Sequence, residues 1–399
     1  MTEQTTNDID PDIGETDAIT FDSLELHPKL LSAIAKCGFT ECTPIQAETL
    51  PVTLSGKDVI GRAQTGTGKT AAFLITAFEY LLTNPLEQNE RYASEPRVLV
   101  LAPTRELALQ IEKDARQLNT TAGFNILSTV GGMNYDKQRD SLQHYVVDIL
   151  VATPGRLIDF LEKGDLYLDQ IDVLIIDEAD RMLDMGFIPD IKRILRRTTA
   201  REYRQTLLFS ATFNQDVLGL ASQWTSQAEY LEIKSDTVAA ATIEQTVLLV
   251  EKKNKRKVLL DLLKKDADGK FIIFTNRRDI ARDLEKFLKR NRIRVELLSG
   301  EVIQSRRIRV LDNFKNNKVK VIVATDVAGR GLHVDDISHV INFNLPDDPE
   351  DYVHRIGRTG RAGKEGVAIT LACEDEAFAI PDIERYLGLK LHCVQQDQI

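Results

Sequence analysis

Short runs rich in Val, Ile and Leu recur along this chain without apolar–polar alternation, and helical patterns separate them. A strand of that composition must be covered on both faces, so the pattern predicts parallel sheets with crossover helices. In the first half the runs are 58–60, 97–102, 125–130, 147–152, 173–176 and 205–209. In the second they are 246–250, 270–274, 294–298, 319–324, 339–343 and 366–371. The two halves also resemble each other. Segment 97–108 (RVLVLAPTRELA) aligns with 270–281 (KFIIFTNRRDIA), and Val151-Ala152-Thr153 with Val323-Ala324-Thr325 at nearly the same offset. Two pairs in register point to an internal duplication, and hence to an α/β protein of two tandem domains. Between them 234–242 (KSDTVAAAT) is small and polar, as in a short flexible linker. The expected divisions are a tail at 1–20, a first domain at 21–233, the linker, and a second domain at 243–399.

The tail holds six acidic residues and no Lys or Arg, so it reads as solvated and disordered. It carries more than half of the net charge of −10, which leaves the folded part mildly acidic. That balance argues against an indiscriminate polyanion binder but allows a local basic face. Cys37, Cys42, Cys373 and Cys393 form no C-x-x-C pair and no metal-ligand spacing with the six histidines, which suits free thiols in a reducing compartment. No apolar run reaches bilayer length and no signal pattern opens the chain, so a cytoplasmic location is expected.

Chemistry concentrates at strand ends. Asp177-Glu178-Ala179-Asp180 follows the run 173–176, and acids at the carboxyl end of a parallel strand suit a hard cation and a water nucleophile. The same carboxylates could simply cap a helix over 179–185. The segment Ala63-Gln64-Thr65-Gly66-Thr67-Gly68-Lys69-Thr70 lies between a short strand and a helical run. Its glycines let backbone N–H groups converge on phosphates, Lys69 reaches the β- and γ-phosphates, and Thr70 binds Mg²⁺. The generic pattern has Gly where Ala63 stands. With such a loop present, Asp177 completes the Mg²⁺ shell and Glu178 orients the attacking water. The second half has no such loop. Its His354-Arg355-Ile356-Gly357-Arg358-Thr359-Gly360-Arg361 places Arg358 and Arg361 one helical turn apart, the spacing of two arginine fingers for one γ-phosphate. The stretch 277–294 holds eight basic and three acidic residues and reads as a solvated helix face.

With these residues the chain resembles the DEAD-box RNA helicases from about residue 21 to 391. The resemblance implies two RecA-like domains and RNA-dependent hydrolysis of ATP with Mg²⁺. It implies that 38–46 (GFTECTPIQ) reads adenine through Gln46, with Phe21 stacked on the ring. The hydroxyls of Ser210 and Thr212 would bond Asp180 and couple hydrolysis to strand separation. RNA contacts carried over by position are Pro103, Thr104 and Arg105; Gly131 and Gly132; Thr153, Pro154, Gly155 and Arg156; Gln304 and Arg307; Thr325, Asp326 and Arg330. Such contacts grip phosphates and tolerate any sequence. His333 stands where most of the family has an Asp that meets the ribose. That His, together with segments 135–138, 345–352 and 371–386, is similar to the bacterial degradosome branch, which implies an endoribonuclease E scaffold as partner. The basic carboxyl extension common there is not seen before Ile399. The implied function is local unwinding of short RNA duplexes in RNA turnover. The alternative is an ATP-gated RNA clamp or scaffold subunit with little unwinding of its own.

Overall fold

The computed structural model describes residues 19–63, 67–213, 215–232, 243–299, 302, 304–326, 337–360 and 366–395. The expected tail (but for its last two residues), the linker, Gln64, Thr65, Gly66, Arg330, His333 and Arg361 lie outside them.

Two all-parallel sheets of seven strands each carry the fold. The first comprises β1 (Val59–Arg62), β2 (Val98–Leu101), β3 (Ile126–Thr129), β4 (Ile149–Ala152), β5 (Val173–Ile176), β6 (Gln205–Ser210) and β7 (Glu229–Glu232). The second comprises β8 (Ile243–Leu249), β9 (Phe271–Thr275), β10 (Val295–Leu298), β11 (Val321–Thr325), β12 (His339–Asn342), β13 (Gly366–Ala372) and β14 (His392–Gln395). Their orders are β3-β4-β2-β5-β6-β1-β7 and β10-β11-β9-β12-β13-β8-β14. These are the same order once each strand is matched to its counterpart. The aligned segments fall on equivalent strands, β2 with β9 and β4 with β11, as a duplication requires.

The uninterrupted apolar runs are explained by the two faces they serve. Val98, Val100, Val173, Ile175, Leu207 and Phe209 pack into one cluster, while Leu99, Leu101, Leu174, Ile176 and Leu208 pack into another across the sheet. The second sheet divides likewise, with Phe271 and Ile273 on one side and Ile272 and Phe274 on the other. At roughly 1.5–3 kcal/mol per buried aliphatic side chain, both faces contribute heavily to holding the sheets together. Twelve strands coincide with the expected runs to within a few residues. Two were not foreseen, β7 (EYLE) and β14 (HCVQ), which close the equivalent edges beside β1 and β8. Edge strands with mostly exposed side chains carry no apolar periodicity, so the sequence has no signal for them.

The carboxyl ends of β9, β11 and β12 are tied by one side chain. Arg355, 2 % exposed, donates to both Asp326 oxygens at 2.6 and 2.7 Å. It also donates to the Asn344 carbonyl at 2.7 Å and Asn276 Oδ1 at 2.8 Å. Asp326 was expected to contact RNA; its carboxylate is instead committed to this strut. We expect Arg355→Ala to lower stability by about 2–4 kcal/mol, because it removes a buried side chain and leaves the partly buried Asp326 carboxylate and the Asn344 carbonyl without their partner. Denaturant unfolding reads this directly, and a loss under about 1 kcal/mol would show that the strut is dispensable.

Candidate active site

Open α/β sheets present ligands at the carboxyl ends of their strands. In the first sheet that edge divides by strand order. The ends of β5, β6 and β1 adjoin one another and carry Asp177, Ser210 and the approach to the phosphate loop. The ends of β2, β4 and β3 lie to the other side and carry 103–105, 153–156 and 131–132.

On the first side a cavity of about 420 Å³ is lined by Phe39, Gly68, Lys69, Thr70, Asp177 and Glu178, among others. Lys69 opens the helix Lys69–Thr83. Its ammonium lies 3.3 Å from Asp177 Oδ1, and both side chains are nearly fully buried. Burial works against the Lys69 charge, but Asp177, Glu178 and Asp180 outweigh it and hold the pKa above the usual lysine value. Burial pushes the Asp177 carboxyl up, opposed by Lys69 and reinforced by Glu178. The Lys69 Nζ makes no hydrogen bond of good geometry. A buried ammonium with idle donors is costly unless an anion completes it, which fits a phosphate. Among the described residues no three His, Cys, Asp or Glu side chains gather to cage a metal. One carboxylate and the Thr70 hydroxyl are what Mg²⁺ uses when phosphates and water supply the rest.

Glu178 follows with φ 53° and ψ 53°, a left-handed conformation that costs a non-glycine residue about 1 kcal/mol or more. Asp177 Oδ1 accepts its N–H at 2.9 Å, and Glu178 Oε2 meets Arg181 at 3.1 Å. Arg181 was not foreseen; the cue was its place three residues on, one turn into the helix Ala179–Asp184. Asp180 is the most thoroughly bonded of the group. Its Oδ2 accepts from the Ala211 and Thr212 amides at 3.0 and 3.2 Å, and from the Thr212 hydroxyl at 3.4 Å. Ser210 Oγ accepts the Asp180 amide at 3.3 Å and donates to the Thr212 carbonyl at 2.8 Å. The expected link between Asp180 and 210–212 is thus present, carried more by backbone amides than by hydroxyls.

The expected base-reading residues take less direct positions. Gln46 donates to the Gly68 carbonyl at 3.0 Å and accepts from the Thr43 amide at 2.9 Å, so it braces the phosphate loop. An amide keeps one N–H and one lone pair beyond those two bonds. Phe21 is 3 % exposed and its ring lies 6.4 Å from that of Phe39. Phe39, not Phe21, lines the cavity. Phe39 sits inside the expected 38–46 segment, but its aromatic character alone did not separate it from a core residue. Ala63 is buried, with its N–H on the Ser210 carbonyl at 3.0 Å.

On the second side, Arg105 lies against Gly131, where an added Cβ would sit 3.0 Å from the guanidinium. Gly132 adopts φ 75° in the same turn. Thr104 Oγ1 accepts the Leu107 amide at 3.3 Å, so this hydroxyl caps the helix Arg105–Leu118. Thr153, Pro154 and Gly155 begin the helix Pro154–Lys163, with Thr153 as its N-cap. Arg156 packs over Tyr135 and Phe160, and two of its buried nitrogens lack hydrogen bonds. Pro103 is buried at the end of β2, and Thr325 is buried at the end of β11. Gln304 begins the helix Gln304–Lys315. Arg307, on that helix, pairs across the lobes with Glu106 at 2.7 Å, both largely buried.

The helix Pro349–Ile356 ends before Arg358, with Gly357 as the cap, so Arg358 stands in the following turn; its expected partner Arg361 lies outside the described residues. Arg358 is 4 % exposed and donates to the His354 carbonyl at 3.1 Å. The helix itself faces the first lobe. Burial raises the Glu350 pKa, His354 opposes it, and Asp180 and Asp184 add to it from the other lobe.

Two family models match the chain, DEAD/DEAH box helicase over 43–220 and Helicase conserved C-terminal domain over 254–363. The ATP-dependent RNA helicase RhlB of Pseudomonas syringae is 51 % identical over 385 residues, 96 % of each chain. Saccharomyces cerevisiae Dbp5 bound to RNA and ADP BeF3 superposes with a TM-score of 0.84 at 31 % identity, covering 96 % of this chain and 97 % of that one. A DEAD box protein from Methanococcus jannaschii gives 0.53 at 34 % identity, with 94 % and 99 % covered.

Gly68 tests the site. At φ 96° it is strained for any other residue, and a Cβ there would meet Gln46 Nε2 at 2.7 Å and Thr43 Oγ1 at 2.8 Å. We expect Gly68→Ala to weaken binding of a fluorescent ATP analogue at least tenfold, about 1.4 kcal/mol, while the unfolding transition stays cooperative. Unchanged affinity would show that the brace is irrelevant to nucleotide binding.

Proposed function

Because this chain belongs to the DEAD/DEAH box helicase family, and so is an ATP-dependent RNA helicase, we propose that it locally separates short RNA duplexes in RNA turnover. The observation that carries the reading is the buried, hydrogen-bond-deficient ammonium of Lys69 beside Asp177 at the wall of the 420 Å³ cavity. ATP phosphates complete that ammonium. Thr70 and Asp177 would hold Mg²⁺, which when bound neutralises phosphate charge. Glu178 orients water toward the γ-phosphate and takes its proton, and Arg181 holds the carboxylate in place beforehand. Arg358, with Arg361, supplies positive charge to the leaving phosphoryl group from the second lobe.

RNA lies along the other half of the sheet edge, on Arg105, Gly131, Gly132, Thr153, Gly155 and Arg156, and against Gln304, Arg307, Thr325 and Arg330 of the second lobe. The bonds from Asp180 to Ala211 and Thr212 join the ends of β5 and β6, and through the β5 end, next to β2, they couple the nucleotide half to the RNA half. Similarity to RhlB supports an endoribonuclease E scaffold as the partner, docked on the second lobe.

Replacing Glu178 by Gln removes the proton acceptor and keeps the shape. RNA-stimulated phosphate release should fall by about 10²–10⁴-fold with ATP and RNA binding retained. Near-wild-type turnover would reject the assignment of the base.

A further inference from the structure

The basic stretch 277–294 separates into two parts in the structure. On the helix Arg278–Arg290 and just before it, three of the cations have carboxylate partners: Arg277 with Asp279 at 2.7 Å, Lys289 with Glu285 at 2.7 Å, Lys286 with Asp283 at 4.0 Å. That part is the solvated face expected of such a run. Arg292 and Arg294, beyond the helix, have no such partner among the described residues. They line a cavity of about 370 Å³ together with Lys264, Lys318, Lys320 and Asp266. Lys264 and Lys318 also lack side-chain partners among the described residues, while Lys320 pairs with Asp268 at 2.8 Å. Asp266 is the one carboxylate in that lining; half-exposed, it accepts the Gly269 amide at 3.0 Å and lies 3.5 Å from His339. A protein of net charge −10 thus concentrates five cations around one hollow. Ile293 and Leu263 supply an apolar floor to it.

Its position excludes the site already described. Phe271 and Val321, which open β9 and β11, also line the hollow. It therefore lies at the amino ends of the strands, whereas Thr275 and Thr325 end the same strands on the cleft side. The four residue steps of strand between them span about 13 Å. Unpaired guanidiniums grip phosphate bidentately, and an apolar floor suits a base face.

We propose that this hollow is a second RNA site on the outer end of the second lobe. It takes a nucleotide of single-stranded RNA that runs on from the cleft, with phosphate on Arg292, Arg294 and Lys318 and the base over Ile293. The proposal rests on the reading of the chain as an RNA helicase and adds a contact outside the catalytic cleft.

The test compares R292E/R294E/K318E, and the milder R292Q/R294Q/K318Q, with the full-length wild type. Two single-stranded RNAs are used, one of about 8 nucleotides and one several times longer. The variants should bind the long RNA at least tenfold more weakly, and the dependence of log affinity on log salt should flatten by roughly two. Affinity for the short RNA, and the ATPase it stimulates, should stay at wild-type levels. That stimulated ATPase reports on the functional reading separately, whichever way long-RNA affinity goes. Long-RNA affinity that is unchanged overturns the proposal and assigns the hollow to an acidic protein segment. Equal losses for both RNAs overturn it too, because the effect would then lie in the cleft.

Discussion

A lysine ammonium buried against an aspartate, with its hydrogen bonds unfilled, is the contact on which the first lobe's active edge is built. Taking that charge out of water costs several kcal/mol, and only the converging Asp177, Glu178 and Asp180 keep it ionised. Those acids are held in turn by their own neighbours, Asp177 by the Glu178 amide, Glu178 by Arg181, and Asp180 by the amides of 211 and 212. The site is therefore organised before substrate arrives. Its remaining deficit, idle donors on Lys69 and a left-handed Glu178, sits where chemistry is done.

The second lobe repeats the fold and not the chemistry. Where the first sheet's edge carries a buried lysine among acids, the second has Arg355 locking Asp326, Asn276 and Asn344 into a rigid edge. Contacts between the lobes are charged: Arg307 meets Glu106, and Glu350 approaches Asp180 and Asp184. The first pair joins the lobes on the RNA side, while burial, with smaller contributions from Asp180 and Asp184, pushes the Glu350 carboxyl up on the nucleotide side.

Much of the edge was legible because its residues are both chemically distinctive and tied to strand ends. The phosphate loop and the acids at 177–180 needed only a strand before them to be placed, whereas the hydroxyls at 210 and 212 gained a role only through the family resemblance. Three kinds of residue were not legible. Polar edge strands such as Glu229–Glu232 carry no periodicity. Partners such as Arg181 and Phe39 are of ordinary type and gain meaning only from what they touch. Finally, a charge run looks uniform in sequence, whereas folding put most of 277–294 on a helix face and Arg292 and Arg294 at the rim of a hollow.

By itself the sequence determined the two parallel sheets, their duplication, the single phosphate loop and the identity of the acids, because burial on both strand faces and phosphate chemistry each demand particular residue types. Tertiary structure decided which groups were already engaged. Arg307 is oriented on the RNA side by Glu106, Asp326 is taken by Arg355, and Gln46 by the loop it braces. Hydrogen bonds and ion pairs join residues about twenty to two hundred positions apart, and no local pattern records which partner is taken. Distance in space, set by the packing of helices on the sheets, made those choices.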